Sequence, residues 1–261
     1  GVLYYDKENV VAFRPNADKH PVYKFPHRKG DKIEGAPVVY EAPYRNSDGD
    51  VPHNLYIICH DPYAQSGQGV AESLGAAYVL KRPNNLSKPD DIIVASYIGR
   101  PQTQDEYNKN LFMLADYYNA KIGFENDRGE LIAFAKRYRK LHKLQEEFEM
   151  LDKRELRSKT TRRQYGMHMT QQRKRQGELY IRDWLMSPRG TDEDGNVTLN
   201  MHKIYDPALL QELIKFNHKG NFDRVMALMV GMYHTRELYN REVVEITSDR
   251  SQDDWFDKNY R

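Results

Sequence analysis

The apolar residues of this chain fall into short continuous runs separated by helical stretches. Leu55 to Cys59 is the first run, and it ends in a carboxylate, Asp61. A Gly/Ser/Gln loop follows from Gln65 to Gly69, and then a second run, Leu74 to Leu80. The pattern predicts a buried strand, a reversal and a second strand. Ile92 to Ile98 is a third, β-branched run. Gln104 to Asn119 carries Tyr107, Leu111, Leu114, Ala115 and Tyr118 at helical spacing, behind Pro101 and Thr103. Lys121 to Glu125 reads as a fourth buried strand, again ending in an acid, and 129–144 as a second helix. Alternating strands and helices argue for an α/β layer structure with some parallel pairing.

Beyond this core the pattern is coarser. Helices are expected over 160–184, over 207–217 behind the Asp206-Pro207 start signal, and over 221–240. Residues 187–196 read as an exposed, turn-rich loop. Residues 1–53 read as an extended arm or small ribbon, with short strands possible at 10–13, 22–25 and 37–40. The core domain is expected over 54–240, and 241–261 as an acidic, unstructured tail.

Composition changes this picture little. The 261 residues are 39% hydrophobic, enough for one sizeable core, and no apolar run approaches bilayer length. No signal peptide is visible. The single cysteine, Cys59, excludes an intrachain disulfide and a multi-cysteine zinc site. The net charge of +2 hides an asymmetry, because Lys153 to Arg175 is strongly basic. Acids vanish there after Arg157 until Glu178. That favours Arg157, Lys159, Arg162, Arg163, Arg173, Lys174 and Arg175 as a sequence-independent phosphate-contacting surface over a solvated helix face.

The candidate chemistry lies in three acids: Asp61 after the first strand, Glu125 after the fourth, and Asp223 opening the last helix. Each alone has a plain explanation. Asp61 before Pro62 suits a turn, Glu125 an exposed loop, and Asp223 a helix N-terminus. Two carboxylates at the same ends of neighbouring parallel strands would nevertheless repel strongly unless a cation neutralised them or one were protonated. Oxygen ligands of this kind suit Mg²⁺ or Mn²⁺. His60 should point away from Asp61 and is not counted as a ligand.

In order and spacing, Asp61-Pro62-Tyr63, Gly123-Phe124-Glu125-Asn126, Gln164-Tyr165-Gly166, the stretch Tyr205 to Phe216, and Asn221-Phe222-Asp223 resemble the nuclease domain of large terminase subunits of tailed bacteriophages. The resemblance covers about residues 37 to 240. It implies a ribonuclease H-like α/β fold, a central mixed sheet flanked by helices. It implies Asp61, Glu125 and Asp223 as the acids holding two Mg²⁺ or Mn²⁺ ions, with Asp127 and Glu130 as possible supporting groups around them. The implied activity is endonucleolytic cleavage of double-stranded DNA, as in cutting concatemeric viral genomes in the host cytoplasm. An ATPase domain, a portal and a small terminase subunit would be the partners. No G-x-x-x-x-G-K-[ST] sequence is present, so the chain should cut DNA but not translocate it. Two other readings stay open: a different ribonuclease H-like nuclease such as a junction resolvase, and a non-catalytic DNA-binding or motor-docking module.

Overall fold

The computed structural model describes residues 1–63, 73–126, 129–148, 165–217 and 219–239. At its centre β4 (Tyr56–Asp61), β5 (Gly75–Lys81) and β6 (Ile92–Gly99) form an antiparallel meander. Helix α1 (Gln104–Tyr117) then carries the chain back across the sheet. Its N-cap is Thr103, whose hydroxyl accepts from the Glu106 N–H at 3.2 Å. The chain returns as β7 (Lys121–Phe124), parallel to β4 on its free side.

An outer strand completes the sheet. The segment expected to be an arm contains β1 (Val2–Tyr5) and β2 (Val11–Arg14), a two-stranded ribbon, and also β3 (Ala36–Val39). β3 pairs antiparallel with β6, so the five-stranded order is β3-β6-β5-β4-β7. The strand expected over 22–25 is absent, although Val22 is buried in the core.

Period-two alternation splits the core into two layers. Tyr56 and Ile58 pack with Tyr107, Leu111 and Leu114 on the α1 side. Ile57 and Cys59 pack with Val225, Leu228 and Met229 on the other, where a helix spans 223–239 (α5). That helix lies flush on the sheet at Gly231, where an added Cβ would stand 2.9 Å from Cys59 Sγ. Met229 and Met232 of this helix are buried in the layer, and Met226 packs against it while also lining an acidic cleft.

Three boundaries differ from expectation, each for a local reason. The second helix, α2 (Glu130–Arg137), ends at a left-handed Arg139 (φ 56°), where the Lys140 N–H reaches back to Ala135 O at 2.7 Å. This release lets Leu144 bridge to Ile122 beside β7. Helix α3 (Gln171–Leu185) starts later than the charge pattern suggests, capped by Thr170. Residues just before it are committed elsewhere: the Met167 N–H donates to Phe124 O at 2.9 Å. The stretch expected to be a loop over 187–196 is a hairpin, β8 (Pro188–Thr191) with β9 (Val197–Leu199). Its turn is held by Asp192, whose carboxylate accepts from the Asn196 N–H at 2.8 Å. Helix α4 (Pro207–Lys215) matches its start signal, with Asp206 accepting from the Ala208 N–H at 2.9 Å. Among the described residues no helix is long and apolar enough to cross a membrane. The expected tail, 241–261, lies outside the described residues.

Candidate metal site

The parallel β4–β7 pair sets the first two acids. His60 lies opposite Phe124 in the register, and the Glu125 N–H donates to His60 O at 3.2 Å. Asp61 and Glu125 therefore leave neighbouring strands at the same end. Ser73 and Leu74 lead into β5, whose Ala76 is paired with Asp61. These two residues hold the third acid. Asp223 accepts from Ser73 Oγ at 2.9 Å and from the Leu74 N–H at 2.8 Å. Residues from three separate parts of the chain thus meet at one rim. Asp61, Glu125 and Asp223 line a single cleft of about 240 Å³, together with Ser73, Lys174 and Asn221. A hollow of about 180 Å³ beside it is lined by Asp61, Glu125, Gln104 and Glu130.

The floor under Asp61 is aromatic. The His60 ring is stacked on Tyr107 at 5.3 Å, and Tyr107 on Tyr97 at 4.5 Å. His60 Nδ1 lies 3.0 Å from Ala76 O, and burial pushes the imidazole down to about 4. His60 is therefore a neutral packing residue facing away from the cleft, as alternation along the strand requires.

Asp61 and Glu125 are half-buried, whereas Asp223 is 7% exposed. Burial raises the Asp223 carboxyl above the ordinary carboxylate range, against the pull of the Leu74 N–H, the Ser73 hydroxyl and the Arg224 cation. The donors facing the cleft from the three acids are all oxygens, which suits a hard divalent cation. Among the described residues, no trio of Asp, Glu, His or Cys side chains stands at metal-ligand spacing. Both Asp223 oxygens accept hydrogen bonds from the residues that lead into β5, Ser73 and Leu74. What the three acids share is one cleft lining and oxygen donors of the kind a hard divalent cation takes.

The remaining expected residues divide. Glu130, the first residue of α2, is exposed and lines the adjoining hollow. Of Arg173, Lys174 and Arg175 near the start of α3, Lys174 lines the cleft. The Arg173 guanidinium donates to His168 O at 2.6 Å, and Arg175 is exposed. Asp127, Arg157, Lys159, Arg162 and Arg163 lie outside the described residues. Sequence reasoning did not pick out Ser73. It sits just ahead of an apolar run, and nothing in its neighbourhood marks it as the holder of an acid 150 positions away.

A meander of three antiparallel strands, a crossover helix and a fourth strand parallel to the first make this a mixed five-stranded α/β domain, with acids at the ends of two adjacent strands. Two solved structures similar to the chain are crystal structures of the large terminase nuclease from thermophilic phage G20c. The one with bound zinc is 15% identical, covering 76% of this chain and 89% of that one, with a TM-score of 0.46. The other is 13% identical over the same shares, with a TM-score of 0.37. No protein-family model and no curated protein matches the sequence.

Proposed function

We propose that this chain is a metal-dependent endonuclease that cleaves double-stranded DNA, as in cutting concatemeric viral genomes during packaging. The observation that carries the reading is the convergence of Asp61, Glu125 and Asp223 on one cleft beside Lys174. Three acids that line one cleft make chemical sense when a divalent cation is shared among them. In this reading the three carboxylates hold two Mg²⁺ or Mn²⁺ ions. Such ions supply activation of a water and neutralise charge on the attacking and leaving oxygens of a phosphodiester. Lys174 draws the backbone phosphate toward the acids, and the basic residues of 157–175 extend that attraction along the duplex. Ser73 and the Leu74 N–H orient the Asp223 carboxylate. Glu130, and Asp127 with it, would adjust the surrounding charge. The wider assignment follows from the same reading: an ATPase motor, a portal and a small terminase subunit as partners, in the host cytoplasm.

A plasmid digestion tests this directly. The native chain should convert supercoiled plasmid to nicked and linear forms with Mg²⁺ or Mn²⁺, and leave it intact in EDTA. A branched substrate cut in preference to linear duplex would turn the assignment toward a junction resolvase.

The occupied oxygens of Asp223 favour one competing reading, in which the acids are structural and the chain is a non-catalytic DNA-binding module. No nicking at any metal concentration would decide for it.

A further inference from the structure

The acidic cleft has a neighbour. A larger hollow of about 490 Å³ shares Asn221 and Asp223 with it, and its lining includes the loop bearing His27, Arg28 and Lys29. Lys174 lines the cleft with the three acids, and Arg28 and Lys29 line the adjoining hollow that Asp223 shares, with Asp31 and Glu212 also on its lining. The loop is firmly seated. The Phe25 ring lies 5.4 Å from Phe222, one residue before Asp223. Asp31 accepts from the Arg28 N–H at 2.7 Å and from Lys24 Nζ at 2.9 Å. Arg224 donates to Val22 O just upstream. These anchors fix the backbone and leave the Arg28 and Lys29 side chains exposed to solvent.

A carboxylate centre by itself repels a polyanion, so a phosphodiester chain crossing it needs cations before and after the crossing. We propose that the loop 27–29 is a second phosphate-contacting element, which carries the DNA backbone past Asp223 so that it spans from Arg28 and Lys29 to Lys174. This inference rests on the DNA-cutting reading and specifies the path of its substrate. The loop belongs to the N-terminal segment, far in sequence from the basic stretch 153–175, and its placement beside Asp223 is a matter of tertiary structure.

The test is fluorescence anisotropy of a short fluorescein-labelled duplex in EDTA, where cutting cannot contribute, over a range of salt concentrations. Arg28→Ala/Lys29→Ala should weaken binding and reduce the slope of log K against log[salt] by about 1.8, roughly 0.9 for each phosphate contact removed. Both side chains are exposed, so the variant should melt with the native chain. Lys7→Ala/Lys19→Ala removes the same charge from residues that line neither hollow, and should leave the slope unchanged. An unchanged slope and affinity in the Arg28/Lys29 variant, or an equal loss in the Lys7/Lys19 variant, overturns the loop's role and leaves the DNA reading standing. A native chain that fails to bind duplex at low salt overturns both.

Discussion

Asp61→Asn should reduce DNA cleavage to background while leaving duplex binding nearly intact. Asp61 leaves the end of a central strand beside Glu125 and lines the cleft shared with Asp223. Exchanging its carboxylate for an amide keeps the size and removes one negative oxygen ligand. Charge stabilisation by a bound cation amounts to several kcal/mol at a phosphodiester transition state, so the loss should be about three orders of magnitude in rate. Binding should hold because the phosphate-contacting groups are cations elsewhere. Plasmid conversion and anisotropy, run on one preparation, separate the two effects. A variant that cuts at the native rate contradicts the role given to Asp61.

The largest stability effect is expected at Arg224. Its side chain is 1% exposed, yet carries a charge. It pairs with Glu212 at 2.8 Å and lies 3.4 Å from Asp206, and it also donates to Val22 O. Asp206 in turn accepts from the Tyr78 hydroxyl at 2.6 Å. This network ties α4, the N-terminal segment and β5 to the first turn of α5, one residue from Asp223. Arg224→Met leaves Glu212 and Asp206 buried without their cation. The expected cost is about 3–5 kcal/mol in urea unfolding. Replacing Glu212 and Arg224 together by apolar residues of similar volume should recover much of it, because the uncompensated charge is then gone. A single variant as stable as the native chain would show the network to be energetically idle. Because Arg224 follows Asp223 directly, its loss should also disturb the Asp223 carboxylate that Ser73 and Leu74 hold.

The legible parts of the fold were those written in local patterns. The runs at 55–59, 74–80, 92–98 and 121–125 became β4 to β7, because continuous apolar stretches bounded by turn residues have little choice but to be buried strands. The starts of α1 and α4 were legible from Thr103 and Asp206, whose side chains cap their own helices. What stayed hidden depended on distant partners. A strand at 37–40 was expected, but not its place: β3 is an edge strand of the main sheet because β6 is beside it. The early end of α2 depends on a left-handed arginine, a residue with no intrinsic preference for that conformation. At the site, the strand-end acids were visible as acids out of place, and so was Asp223 at its helix start. Ser73 and the loop 27–29 were not, since their relevance comes from tertiary placement alone.

The central claim is that Asp61, Glu125 and Asp223 share a divalent cation. Calorimetric titration of Mn²⁺ into the native chain and into Asp61→Asn, Glu125→Gln and Asp223→Asn, without DNA, tests it most directly. The account predicts saturable binding to the native chain and clear weakening in each of the three variants. Equal binding in native and variant chains, or no binding to the native chain at all, would contradict it.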